Sequence, residues 1–284
     1  TIAIALIKAG LSFDKQITDL QKGMGLSREE AVGLRNEASI AAASMGDMAI
    51  NAERTLKAFS TLQSQLGIAA NFSMSMAAEA AVMQEKIGLS EKAIGGFAKS
   101  SLVTGKSLKE SKEDVLATTN SIRVQTGIAL DYKDILEKTG NVTGQIRAQL
   151  GGSTEAIAEA VGVAKTLGLE LEQVAKSASS LLNFEQSIEA ELEAELLTGK
   201  ELNLERARAL ALQGDYAGLA KEVAEQAGTF SEFSKMNVLQ QNALAKSFGM
   251  SSDELSNMLM DQEAMGKTAE QLRAEGKEDI AQRL

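Results

Sequence analysis

"FEQSIEAELEAELLTGKELN", Phe184 to Asn203, carries six glutamates in twenty residues and then breaks at Thr198-Gly199. Three readings compete: a carboxylate cluster that does chemistry, a disordered acidic run, and one arm of a helical hairpin. Periodicity decides between them. Phe184, Ile188, Leu192 and Leu196 recur at every fourth position, with Leu181 three residues earlier. Such spacing lays apolar groups along one side of a helix. Glu185, Glu189 and Glu193 fall on a second side, and Glu191 and Glu195 on a third. Stacked like charges cost an isolated helix only about 0.2–0.5 kcal/mol per pair, which burial of the opposite stripe outweighs. The stretch is therefore expected to be an amphipathic helix that buries Phe184, Ile188, Leu192 and Leu196. Its glutamates face solvent or a partner. It stops at Gly199 and restarts at Asn203.

The rest of the composition agrees with helix. Of 284 residues, 44% are hydrophobic, enough for a sizeable core in one or two domains. Proline is absent, where average usage predicts roughly fourteen. A chain that avoids the strongest helix breaker over this length is helical along most of it. It begins at Thr1 and ends at Leu284 within a helical pattern, which reads as a processed chain or a fragment of a longer one.

Cysteine and histidine are both absent. This excludes thiol nucleophiles, disulfides, thiolate zinc sites and imidazole acid–base chemistry within the chain. The net charge of −10 repels phosphate backbones, so nucleic acid is not expected as the main partner. Ile2–Ile7 is too short for a membrane span. Ile68–Met83 is small, Met-rich and carries Glu79; it falls short of the roughly 18 apolar residues that a span needs and reads as a buried helix.

Glycines punctuate the sequence in a repeated phrase: Gly, an apolar residue, then a helix-starting signal. "GLSREE" pairs Ser27 with Glu30 and "GMSSDE" pairs Ser251 with Glu254, as in a capping box. "GLSEK" at Gly88 and "GLELEQ" at Gly168 are looser copies, "AGTFSE" pairs Thr229 with Glu232, and "GKTAEQ" pairs Thr268 with Gln271. Joints this short favour closely packed helix pairs. Between them run helix-period stripes: Val115, Leu116, Thr119 and Ile122; Ile157, Val161 and Ala164; Leu171, Val174, Ala178, Leu181 and Leu182; Phe233, Met236, Leu239, Ala243, Leu244 and Phe248. The expected fold is all-α, a multi-helix array joined by Gly-centred turns, with longer helices in the first half. Residues 1–150 read as an Ala/Ser/Met-rich helical region, extended or oligomeric. Residues 151–284 read as a compact multi-helix body. The phrase Leu150–Glu155 marks the expected boundary.

Candidate chemistry fails on its requirements. A carboxylate-bridged dimetal bundle needs Glu-x-x-His, and there is no His. Gly105-Lys106-Ser107, Gly199-Lys200 and Gly266-Lys267-Thr268 lack the spacing and preceding strand of a phosphate loop. A paired-carboxylate glycosidase wants aromatic platforms, and only Tyr132, Tyr216 and eight Phe are present. Ala207–Gly228, turning at Gly214-Asp215-Tyr216, reads as a single αα-hairpin; a tetratricopeptide array would need further copies. No catalytic, cofactor-binding or metal-ligating residue is assigned.

The stretch "LLNFEQSIEAELEAELLTGKELNLERARALALQGDYAGLAKEV" resembles a segment of long virion structural proteins of tailed bacteriophages, the tail tape-measure proteins. "SLVTGKSLKESKEDVLATTNSIRVQTGIALDYKDIL" and "FSKMNVLQQNALAKSFGMSSDELSNML" are similar to its flanks, so the resemblance runs from about Ser101 to Leu259. It implies a mostly helical chain lying in the tail tube or at its tip in several copies. Such a chain helps set tail length and is ejected with or ahead of the DNA. The implied partners are tail tube, tail tip or baseplate proteins and further copies of the chain, with insertion of residues 68–83 into a host membrane after ejection as a further implication. The dense joints depart from a simple ruler and point to a folded terminal or tip-proximal portion. Rival readings are another internal or ejected virion protein and a non-viral helical scaffold; an enzyme ranks third.

Overall fold

In the computed structural model, which describes residues 2–66 and 72–274, the joint phrases cap helices as their chemistry requires. Ser27 accepts the Glu30 N–H while the Glu30 carboxylate accepts the Ser27 N–H. Thr229 with Glu232 and Ser251 with Glu254 close the same ring. Ser90 caps at "GLSEK", and Glu170 forms a box with Gln173 at "GLELEQ". The described residues form sixteen α-helices and one π-turn, with no strand.

One expected joint is not there. Gly266-Lys267-Thr268 lies inside the last helix, which runs unbroken from Ser252 to Ala274. A glycine stops a helix only where the backbone turns left-handed and closes back on the last turn. In mid-helix it costs about 1 kcal/mol relative to Ala and is tolerated.

Contacts divide the chain into two units, Thr1–Glu110 and Ser111–Leu284. The first holds α1 (Ile2–Met24), α2 (Arg28–Ser44), α3 (Ala52–Leu66), α4 (Met74–Val82), which runs on into a π-turn at Met83–Ile87, and α5 (Glu91–Thr104). Its seams are thin: Ala38 and Ala42 of α2, Ala58 of α3, and Ala77, Ala78 and Ala81 of α4 are buried. Leu62, Met83, Ile94 and Phe97 are the bulkier plugs. These small-residue faces close against one another within one chain. Most of the Ile68–Met83 stretch is α4 and sits in this core; Ile68–Asn71 lies outside the described residues. No described helix is long and apolar enough to cross a membrane. Glu79, at the edge of α4, accepts the Leu108 N–H at 2.9 Å and the Lys109 N–H at 3.3 Å. A carboxylate there satisfies the unpaired donors at the start of α6 (Leu108–Thr126) and meets the positive end of its dipole.

The second unit continues through α7 (Tyr132–Asn141), α8 (Gly144–Gln149), α9 (Thr154–Thr166), α10 (Leu171–Leu181), α11 (Phe184–Thr198), α12 (Glu205–Gln213), α13 (Tyr216–Ala227), α14 (Phe230–Phe233), α15 (Val238–Ser247) and α16 (Ser252–Ala274). The Leu150–Glu155 phrase lies inside this unit, as the turn between α8 and α9. The core is built where α9, α10, α13 and α16 meet. Ile157, Val161 and Ala164, then Leu171, Val174, Ala178 and Leu181, then Leu219, Ala220 and Val223 are buried. The α12–α13 hairpin turns at Gly214, and Asp215 caps α13 by accepting the Gly218 N–H at 2.8 Å. Gly249 ends α15 at φ +69°, where a Cβ would lie 2.4 Å from that of Ser180. Only glycine suits both the left-handed turn and that contact.

Candidate functional site

Helix α11 is present over the expected residues and ends at Gly199, but it is turned the other way. Phe184, Ile188, Leu192 and Leu196 are 50, 47, 59 and 85% exposed. The buried positions are Ser187, Ala190 and Ala194. The expectation that the leucine stripe is buried is thus overturned, and the cause lies in packing and anchoring. Helix α15 runs antiparallel along α11: Gln240 Nε2 donates to the Leu197 carbonyl at 2.8 Å, and Lys246 pairs with Glu193 at 2.7 Å. Alanine and serine let these helices approach closely, and α15 offers buried Ala243 and Ser247 in return.

The glutamates hold this orientation. Glu191 Oε1 accepts the Leu204 N–H at 2.8 Å, and Glu195 Oε1 accepts the Leu202 N–H at 2.9 Å. Both fold the 199–204 connection back along α11. The other Glu191 oxygen pairs with the buried Arg208, whose Nε donates to Ser187 Oγ at 3.1 Å. A buried guanidinium stripped of its carboxylate is strongly destabilising. Turning α11 to bury its leucines would strand Arg208 and two loop N–H groups at once. Glu191 and Glu195, expected to face solvent or a partner, are instead internal braces. Glu185 and Glu189 are exposed, and Glu193 is exposed with its tie to Lys246.

The outward face of α11 therefore has an apolar row and an acidic row, with the braced Glu191 and Glu195 along the other border. Each step of four residues advances about 40° at roughly 100° per residue, so rows of spacing four stay side by side. The apolar row Phe184/Ile188/Leu192/Leu196 lies between Glu185/Glu189/Glu193 and Glu191/Glu195. No Lys or Arg occurs in α11. Beside Ile188 an open cleft of about 790 Å³ is lined by Glu201, Asn203, Glu205 and Gln226 together with Glu191 and Arg208. Val238 and Leu239 of α15, both 70% exposed, lie at the end of the pair where Gln240 meets Leu197. The ridge thus exposes large apolar side chains beside carboxylates.

Charged groups elsewhere in the second unit brace helices. Lys138 pairs with Glu170, and Lys165 bridges Asp134 at 3.2 Å and Glu170 at 3.4 Å, along a cleft of about 490 Å³. Burial pushes the Glu170 carboxyl up, but the Lys138 and Lys165 ammoniums outweigh it and hold it below the ordinary carboxylate value. Tyr132 accepts a hydrogen bond from Arg123 at 2.8 Å, and Tyr216 bonds Gln149. Burial raises the Tyr216 hydroxyl. Gly105 and Gly199 end helices at positive φ, with open space where a Cβ would stand. Burial lowers the Lys200 ammonium, with Glu232 acting against it. Among the described residues no group of three or more acidic side chains is placed to hold a metal ion. Arg208 was missed at the sequence level. Its signal was its position in "LERARALA", four residues after Leu204 and three before Ala211, on the buried side of a helix. No protein-family model and no curated protein matches the chain.

Proposed function

We propose that this chain is a non-catalytic portion of a tailed-phage virion structural protein, a tail tape-measure protein, lying in the tail lumen or at the tail tip. The observation that carries the reading is the succession of helix phrases from Ser101 to Leu259, on which the resemblance rests. Its α10–α13 part folds as separate helices broken at Gly199 and Gly214. Even the longest described helices, at 23 residues, span only about 35 Å at ~1.5 Å per residue. Such a portion contributes little length per residue. It suits a terminal or tip-proximal part, held in several copies by tail tube, tip or baseplate proteins and ejected with or ahead of DNA. The absence of cysteine suits a confined chain that must release without crosslinking.

Peptide mass spectrometry of purified tails, with a reconstruction of the intact tail, tests the proposal. The expected result is several copies with the second unit's helices in the lumen or tip. Absence from tails, or one uninterrupted helix through Gly199, Gly214 and Gly249, would contradict it. The outward ridge of α11 also favours a second reading, a helical scaffold outside any virion. Reading the full parent frame separates the two, since a tape-measure parent runs to many hundreds of residues.

A further inference from the structure

We infer that the outward face of α11 is a docking ridge for a basic amphipathic helix of a partner protein. The inference goes beyond the tail reading and does not depend on it. The exposed Phe184, Ile188, Leu192 and Leu196 are not a frayed edge. Glu191 and Glu195, bonded to Arg208 and the 199–204 connection, fix α11 about its axis and hold the row outward. A row of large apolar side chains at spacing four matches the groove between rows of a second helix. The chemistry of that helix follows from the flanks. Exposed Glu185, Glu189 and Glu193 border the row on one side, exposed Glu201 and Glu205 line the cleft beside Ile188 on the other, and α11 carries no basic residue. A partner stripe flanked by Lys or Arg meets complementary charge at Glu185 and Glu189 on one side and at Glu201 and Glu205 on the other. A second copy of this face would set glutamate rows against glutamate rows, and an anionic membrane would repel them.

The test uses the full 284-residue chain and two labelled synthetic helices of about 20 residues, long enough to hold helical structure. One has a leucine stripe flanked by lysines; in the other, glutamates replace the lysines. The lysine helix is expected to bind, and the glutamate helix at least about tenfold more weakly. Leu192→Glu and Leu196→Glu each weaken the lysine helix about tenfold or more, the scale of one lost leucine contact, even though they add negative charge. Val124→Glu, at an exposed position of α6, leaves binding unchanged. Glu185→Lys with Glu189→Lys weakens the lysine helix and strengthens the glutamate helix. Circular dichroism checks that each variant stays folded. If Leu192→Glu leaves binding unchanged or tightens it, the attraction is diffuse charge and the inference fails. It also fails if the chain alone dimerises in sedimentation and Leu192→Glu makes it monomeric. Binding of zwitterionic vesicles that Leu192→Glu abolishes would overturn it in favour of a lipid surface.

Discussion

Helices α10 and α11 follow one another in the chain and each carries an apolar stripe at helical spacing, the sharper one in α10, yet they resolve in opposite ways. Leu171, Val174 and Leu181 of α10 are buried, and its small polar residues reinforce the same face. Ser177 Oγ donates to the Phe248 carbonyl, and Ser180 receives the Gly249 turn. In α11 the apolar row and the anchors lie on different sides. Ser187, Ala190 and Ala194 pack against α15, Glu191 reaches Arg208, and the bulky side chains face out. Bulk selects the buried face of a helix only when no buried charge demands a different one.

That contrast can be broken by substitution, with stability read from chemical denaturation. Glu191→Ala, which leaves Arg208 buried without its carboxylate, is expected to cost most, about 3–5 kcal/mol. Leu181→Ala in α10 follows at about 2–5 kcal/mol, the usual range for a buried leucine. Ala194→Leu, overpacking the α11–α15 seam, should cost about 1–3 kcal/mol. Leu192→Ala, the same chemistry as Leu181→Ala one helix later, should stay within about 0.5 kcal/mol. A cost for Leu192→Ala equal to that of Leu181→Ala would erase the difference between the helices.

The smallest expected effect concerns pH. In the folded chain the Glu170 carboxyl titrates below its ordinary value. A depressed carboxyl contributes stability above its unfolded pKa and loses it as pH falls through the folded one. Wild type should therefore lose more stability than Glu170→Gln between about pH 5 and about pH 3. Solvent screening keeps the difference small, because the group is partly exposed. Parallel acid curves for the two proteins would show that the Lys138–Glu170–Lys165 bridge does not act this way.

Much of the fold was legible because its signals are local. Ser27, Thr229 and Ser251 announce helix starts through groups three residues away, and each forms the expected ring. The α9 and α10 stripes are legible because bulk and burial coincide there. What escaped depends on partners distant in sequence. Glu79 caps a helix that starts about thirty residues later. Glu191 braces Arg208 across the Gly199 turn. Gly266 carries the same residues as a true joint but lacks the left-handed turn that would make it one. The candidate ridge was legible as a pattern of rows, while its direction is set by the α15 seam and by the bonds of Glu191 and Glu195 to Arg208 and the 199–204 connection.

Cysteine accessibility tests that direction most directly, because the chain has no native cysteine to interfere. Single variants Leu192→Cys and Ala194→Cys are treated with a thiol reagent under native conditions. The orientation described above predicts that Cys at 192 reacts nearly as fast as in the unfolded chain, while Cys at 194 is protected until the protein unfolds. Protection at 192 with rapid reaction at 194 would mean that α11 buries its leucines after all, and the ridge would not exist.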